Sequence, residues 1–214
     1  MRFEGSGTRG TTVRGHYLEN RITVIRDGRV EPQDLNTHLD DSGQCDGEHE
    51  RSLSIADPQA MAVSDDGTSL YLAAFGSCKI VRIDTQSLAA GSFMPRPDDQ
   101  LPLSAGGPGG LAYDGARNRL YVFTRFDNGI SVVDLDSFSE IHHTTLYNPE
   151  PASLIEGRPF LYDASLSSGC GDLSCAGCHV FGDVDGLAWD LGNPDDEVRE
   201  NATPYAEVNY QLPE

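Results

Sequence analysis

One sequence pattern occurs twice, 50 residues apart, and it restricts the fold of this chain more than any other feature. In each copy a loop leads into an apolar run, a turn follows, and a second apolar run ends on an aspartate. Tyr71 thus corresponds to Tyr121, and Asp84 corresponds to Asp134. The matching segments are 61–67, 70–74 and 79–84 in the first copy, and 111–114, 120–124 and 130–134 in the second.

The repeated runs have the composition of β-strands. They are short, rich in β-branched and aromatic residues, and bounded by Gly, Asp or Asn, which predicts strands joined by tight turns. Residues 21–27 are similar to the last strand of the repeat and indicate an earlier copy of it. Three or four short strands per unit of about 40–50 residues are typical of a β-propeller blade, so we predict a mainly β fold.

The repeat resembles the YVTN-type propeller repeat over roughly residues 20–140. The shared pattern is an Asp-Gly turn, a strand with Leu-Tyr and a final strand that ends on aspartate. Closed propellers have about 4–8 blades, whereas this pattern supplies about two to three. We therefore predict a partial β-propeller, and we expect a fragment of a longer protein in preference to an open sheet completed by another chain.

The residue composition of the sequence changes after Leu146. Residues 148–151 contain Asn and two prolines, a cluster that predicts a domain junction. We place the partial propeller at residues 1–146 and a second domain at residues 147–214. Within the second domain, residues 151–163 are helix-prone, and residues 165–183, rich in Gly, Ser and Cys, predict loops or a short helix.

Residues 175–179 read Cys-Ala-Gly-Cys-His, the attachment pattern of a c-type haem. Two thiols add to the two vinyl groups of the porphyrin as thioethers, and the two intervening residues let one turn present both sulfurs. The next residue then lies beneath the iron. We predict covalent attachment of haem c through Cys175 and Cys178, with His179 as the proximal iron ligand.

Two other chemistries use paired cysteines. A dithiol redox motif is expected in a βαβ context, which this sequence does not show. A zinc site needs further ligands, and Cys45, Cys78 and Cys170 provide no second paired spacing. Because three is an odd number, disulfides within the chain cannot pair all of these cysteines. We prefer haem to both alternatives.

The flanks of the motif resemble the first haem site of the bacterial di-haem cytochrome c peroxidase and MauG family. The similar stretch covers roughly residues 155–182 and includes Gly157, Arg158, Asp163 and Ser174. The resemblance implies the start of an α-helical cytochrome c-like domain and an electron-transfer or peroxidase-like role. The family has a second C-x-x-C-H motif downstream, which this sequence lacks, so peroxidase activity of the chain is an open question.

Other residues give weaker predictions. Arg158 is a candidate contact of a haem propionate, with a structural ion pair as an equal alternative. Phe181 and Trp189 suit porphyrin contact, although we prefer ordinary core packing. The sixth position of the iron is open: a ligand from this chain, a ligand from other sequence, or none. Candidates within the chain are Met61, Met94, His16, His38, His49, His142 and His143. We prefer to interpret the pair His142 and His143 as solvated.

Charge limits the partners of this chain. With 34 acidic and 15 basic residues the net charge is −19, which argues against nucleic acid and anionic membrane surfaces. No apolar run approaches the roughly 20 residues of a membrane-spanning helix. A basic redox partner protein would fit this charge, although simple solubility is the preferred interpretation.

An acidic cluster is compatible with Ca²⁺, although a solvated loop is preferred. Its members are Asp183, Asp185, Asp190, Asp195 and Asp196.

Two functions follow from these patterns. In the first, the haem exchanges single electrons and the propeller is a docking platform. In the second, the propeller is a binding module and the haem is not catalytic. Haem c is attached outside the bacterial cytoplasm, so the resemblance implies a periplasmic or cell-surface location. Residues 1–7 lack an apolar core, and we expect the export signal to lie outside this chain.

Overall fold

The computed structural model of the chain describes residues 19–39 and 47–184. From Asn20 onwards these residues belong to one compact unit, made of Asn20–Leu39 and Cys45–Asp185. The strands are β1 (Arg21–Arg26), β2 (Arg29–Asp34), β3 (Pro58–Val63), β4 (Ser69–Ala74), β5 (Lys79–Asp84), β6 (Gln100–Pro102), β7 (Pro108–Asp114), β8 (Arg119–Thr124), β9 (Gly129–Asp134) and β10 (Ser139–Thr145). The helices are α1 (Glu48–Leu53), α2 (Thr85–Ala89), α3 (Ala152–Tyr162), α4 (Ala164–Ser167) and α5 (Cys175–Cys178).

Three antiparallel sheets follow one another along the chain. The first is the hairpin β1–β2. The first four-stranded sheet has the order β3-β4-β5-β6, and the second has the order β7-β8-β9-β10, so each is a simple meander. The prediction of a mainly β fold is confirmed. The apolar runs of the repeat form β4, β5, β8 and β9, and the earlier copy forms β1.

The repeat extends to backbone detail. The first three strands of each sheet begin 50 residues apart in the two sheets, and β3 and β7 each have a bulge directly after their first proline. Left-handed backbone conformations also recur at this interval: φ is 54° at Cys78 and 56° at Asn128, and 47° at Asp57 and 66° at Gly107. The two sheets are therefore copies of one structural unit.

Alternation of side chains along the strands divides the core into two parts. One part joins the hairpin to one face of the first sheet and contains Ile22, Leu72 and Ile83. The other part joins the opposite face of the first sheet to the second sheet and contains Ile80 and Leu120. The first sheet is thus covered on both faces.

The second sheet is covered on one face. Its other face, here called the open face, is formed by four apolar residues in two cross-strand pairs. Those residues are Tyr121, Phe123, Ile130 and Val132. Phe123 is 39% exposed. Within the described part of the chain, no further sheet lies against this face.

The C-terminal segment is helical and attached to the loops of both sheets. The helix predicted at residues 151–163 is confirmed as α3, which contains Pro159 and has no buried residue. At the end of α3, the ring of Tyr162 lies 5.5 Å from that of Phe75 and 6.1 Å from that of Phe126, centroid to centroid. Among the described residues, no helix has the length and apolar character needed to cross a membrane.

Candidate haem-attachment site

The predicted attachment residues lie on one tight turn, the C-x-x-C-H turn (residues 174–179). The Gly177 N–H donates to the Ser174 carbonyl at 3.0 Å, and the His179 N–H donates to the Cys175 carbonyl at 2.9 Å. Cys175 and Cys178 are three residues apart in helical conformation, so they share a face of the turn. Neither is in a disulfide; Cys175 is exposed and Cys178 is half-buried. Thioether formation requires cysteines that are not in a disulfide, and both residues meet this condition.

The ring of His179 is held through Nδ1. Its Nδ1 lies 3.0 Å from the backbone carbonyl of Asp183. A carbonyl only accepts, so Nδ1 carries the proton and Nε2 carries the lone pair. The side chain is exposed. A histidine that donates one ring N–H to a carbonyl and presents the other nitrogen has the usual arrangement of a metal ligand.

A carboxyl group from the first sheet lies beneath the turn. Asp57, directly before β3, accepts a hydrogen bond from Ser174 Oγ at 2.5 Å through Oδ2. A Cβ at Gly177 would lie 3.3 Å from Asp57 Oδ1 and 2.6 Å from Leu173 Cδ1, so glycine permits this close approach. Burial raises the pKa of the Asp57 carboxyl, and the hydrogen bond from Ser174 partly offsets this effect.

Two further side chains tie the segment before the turn to the sheets. Asn20 accepts the backbone N–H of Asp57 at 2.9 Å and donates to the carbonyl of Asp172 at 2.7 Å. Ser54 Oγ donates to the carbonyl of Cys170 at 2.6 Å. None of these contacts was predicted from sequence, because they join residues 37 to 152 positions apart and leave no local pattern. The repeat offered one signal, since Asp57 stands where the second copy has glycine.

Arg158 already has partners within the protein. It forms an ion pair with Glu150, and its Nη1 donates to the carbonyl of Phe126 at 2.9 Å. The hydrogen bond from Arg158 holds the pKa of the Glu150 carboxyl below its usual value. Its contact with a propionate stays a prediction, and the structural ion pair with Glu150 is present.

The proposed sixth ligands lie in very different environments. Both ring nitrogens of His143 are engaged, Nε2 by Asp127 at 2.7 Å and Nδ1 by Ser131 at 2.9 Å, so His143 is part of the second sheet rather than solvated. His142 is exposed. His38 donates through Nε2 to the carbonyl of Glu50 at 3.0 Å. His49, Met61 and Met94 are exposed as well. His16 lies outside the described residues.

Several other predicted residues also fall outside the described part. These are Trp189, Asp185, Asp190, Asp195 and Asp196. Phe181 lies in a short 3₁₀ turn, Val180–Gly182, that directly follows the motif. Among the described residues, no group of three or more His, Cys, Asp and Glu side chains is arranged to hold a metal ion. A c-type haem does not require such a group, because the porphyrin supplies four ligands and the protein supplies the axial ones.

The remaining cysteines differ from those of the motif. Burial raises the pKa of the Cys78 thiol to about 11, so this thiol is protonated and unreactive at neutral pH. Cys170 is disulfide-bonded, and its partner lies outside the described residues. Of the three described cysteines outside a disulfide, Cys175 is the exposed one, whereas Cys78 and Cys178 are half-buried.

Comparison with known proteins finds similarity at the level of solved structures only. No protein-family model matches the chain. No curated protein matches it either. A hydrazine synthase from Kuenenia stuttgartiensis matches 44% of this chain with 21% identity and a TM-score of 0.36. A periplasmic gluconolactonase from Pseudomonas aeruginosa matches 61% with 14% identity and a TM-score of 0.42. A putative 6-phosphogluconolactonase from Bacteroides fragilis matches 60% with 12% identity and a TM-score of 0.41.

The matched regions are small parts of those proteins. They cover 25% of the hydrazine synthase, 36% of the Pseudomonas enzyme and 38% of the Bacteroides protein.

Proposed function

We propose that this chain is a redox protein that carries one covalent haem c and uses its sheets as a docking platform for a partner. The observation that supports this most directly is the C-x-x-C-H turn itself. Two cysteines outside any disulfide share one face of a helical turn, and the next residue is an exposed histidine whose Nδ1 donates to the Asp183 carbonyl. This donor set fits haem c and does not suit a closed zinc site, which needs four ligands.

The residues of the turn have separate roles in this proposal. Cys175 and Cys178 each form one thioether bond and fix the porphyrin to the chain. His179 gives its Nε2 lone pair to the iron, while the Asp183 carbonyl fixes the ring orientation through Nδ1. Bound haem supplies the one-electron chemistry. Apolar side chains exposed on the same segment, such as Phe160 and Val180, are available to cover the porphyrin.

The finer fold assignment belongs to this proposal. The meanders are two blades of a partial propeller, and the helical segment from residue 147 is the start of a cytochrome c-like domain. Within the redox class, an electron-transfer role and a peroxidase-like role both remain in the proposal. A periplasmic or cell-surface location accompanies it. The disulfide at Cys170 supports an oxidising compartment, because disulfides persist there.

The test is production of the chain in a host with a haem c attachment system. We expect the mass to rise by one haem and the denatured protein to give a pyridine haemochrome spectrum. The Cys175→Ser/Cys178→Ser variant should lose the covalent haem, and His179→Ala should lose the normal Soret band. Cys78→Ala is the matched control, because it removes a thiol outside the turn. A wild-type chain with the mass of the bare polypeptide would contradict the proposal.

A second candidate, a binding module with a non-catalytic haem, is favoured by one observation. The open face presents apolar residues that nothing in the described part of the chain covers. A redox titration of the haem-loaded protein separates the two candidates. Reversible reduction at a potential accessible to protein partners supports the redox role, whereas a haem that resists reduction supports the binding module.

A further inference from the structure

One pair of neighbouring positions differs between the two sheets: each sheet has glycine at one position and a larger residue at the other, but in opposite order. In the second sheet Gly107 has φ +66°, and a Cβ there would lie 2.5 Å from the Phe126 ring. The Phe126 ring therefore fills the space next to this backbone. In the first sheet the equivalent residues are Asp57 and Gly76. The first position therefore has the side chain, and the second has glycine. A Cβ at Gly76 would lie 2.6 Å from Asp57 Oδ2.

The backbone around the exchanged pair is the same in both sheets. The Arg125 N–H donates to the Gly107 carbonyl at 2.9 Å, and the equivalent Phe75 N–H donates to the Asp57 carbonyl at 3.1 Å. Asp57 has φ +47°, a conformation that glycine adopts more readily than any residue with a Cβ. The first sheet thus keeps a half-buried carboxyl on a left-handed backbone where its copy has glycine. Neither strain nor burial of a carboxyl stabilises a sheet.

The Asp57 carboxyl meets the C-x-x-C-H turn rather than a charge. Its Oδ2 accepts from Ser174, and its Oδ1 lies against Gly177, the residue directly before Cys178. Within the described residues, Asp57 takes part in no ion pair. The first sheet therefore has a hydrogen-bond acceptor where the second sheet packs an aromatic ring, and the C-x-x-C-H turn contacts this acceptor.

We propose that Asp57 is a positioning residue for haem attachment: it holds Ser174 and Gly177 on the first sheet so that Cys175, Cys178 and His179 face away from it. This inference rests on the proposed function. A simple structural role predicts that Asp57 stabilises the fold, whereas the positioning role predicts that it affects the turn alone. Substitution by glycine separates the two. Glycine relieves the strained backbone and reproduces the second copy, so Asp57→Gly should preserve the fold while removing the receptor.

The test compares Asp57→Gly and Asp57→Asn with wild type. Asn keeps an acceptor for Ser174 and tolerates a left-handed backbone, so Asp57→Asn should attach haem like wild type. In Asp57→Gly we expect about a tenfold fall in the fraction of chain carrying haem, with an unfolding midpoint close to the wild-type value, because relief of the left-handed backbone offsets the lost hydrogen bond from Ser174. Asp27→Gly is the control, because Asp27 also has positive φ (50°) but lies in the exposed turn of the hairpin.

A second measurement tests the inference without haem. In the haem-free chain we expect Cys178, which is half-buried, to be alkylated about tenfold faster in Asp57→Gly than in wild type, because the turn is no longer held. Equal alkylation rates and equal haem content in the two proteins would overturn the inference. A wild-type chain that takes up no haem would instead contradict the proposed function, and the alkylation rates would still decide the role of Asp57.

Discussion

The two four-stranded sheets share one repeat but differ in what surrounds them. The first is packed on both faces, by the hairpin on one side and by the second sheet on the other. The second is packed on one face only. Ile80 and Ile130 occupy equivalent positions, yet Ile80 is fully buried and Ile130 is partly exposed. Equivalent sequence therefore gives equivalent strands, whereas burial depends on which neighbour follows.

The largest expected effect is at this equivalent pair. Ile80→Ala should lower the free energy of unfolding by about 3 kcal/mol, because it leaves a cavity between the sheets. Ile130→Ala removes the same atoms from the open face and should cost about 1 kcal/mol or less. Urea unfolding of both variants measures the difference. An equal loss at the two sites would mean that the open face is covered in solution.

The next effect concerns the glycine that packs on Phe126. Gly107→Ala should lower the free energy of unfolding by about 2–3 kcal/mol, since it adds a clash with a ring to the strain of positive φ. Gly67→Ala is the control, because Gly67 has φ +72° but no atom within 4 Å of a Cβ there. It should cost about 1 kcal/mol from strain alone. If both variants lose the same amount, the Phe126 ring does not fill the space.

A pH dependence of stability is expected from a lysine that only the first sheet has. Lys79 is buried with its Nζ donating to the Ser52 carbonyl and to Gln100, whereas its equivalent in the second sheet is Gly129. Burial lowers the pKa of Lys79 to about 8 from 10.5. Between these values the unfolded chain binds more protons than the folded one, so stability should rise with pH by about 2 kcal/mol.

Thermal unfolding between pH 8 and 10 measures this rise. Lys79→Met keeps the length of the side chain and removes the titrating group, so the pH dependence should flatten in this variant. An unchanged slope in Lys79→Met would assign the effect to another group.

The smallest effect is expected at an ion pair found in the second sheet only. Arg119 pairs with Asp134 at 2.5 Å across β8 and β9, and the position equivalent to Arg119 in the first sheet is Ser69. The two side chains are 28% and 16% exposed, and an ion pair at the protein surface contributes about 1 kcal/mol or less to stability. Arg119→Ser should leave the unfolding midpoint within experimental scatter at any salt concentration. A clear loss that disappears in high salt would show that the pair stabilises the sheet.

The sequence predicted the elements of the fold better than their surroundings. The strands at residues 70–74 and 120–124 followed from β-branched and aromatic residues between turn signals, which is local information. The open face did not follow, because Tyr121 and Tyr71 look alike in sequence and differ only in what packs on them. Likewise His143 was interpreted as solvated, since its contacts with Asp127 and Ser131 come from strand register and turn geometry.

The candidate site divides in the same way. Cys175, Cys178 and His179 were found because their spacing is itself the signal. Asp57 and Asn20 were missed, because a buried polar contact between distant segments leaves no periodic trace. Aligning the two copies at the 50-residue interval shows Asp57 opposite Gly107 and Gly76 opposite Phe126, but the contact of Asp57 with Ser174 appears only in the structure.

The oxidised state of Cys170 has a consequence for the proposed function. Cys170 lies five residues before Cys175, so a cysteine that forms a disulfide is close in the chain to the two cysteines of the C-x-x-C-H turn. If the turn carries haem c, a disulfide between Cys170 and either of them would leave too few thiols for the two thioether bonds. Under that proposal, Cys175 and Cys178 have to stay reduced while Cys170 is oxidised, and the Ser54 hydroxyl fixes the backbone at Cys170 by donating to its carbonyl.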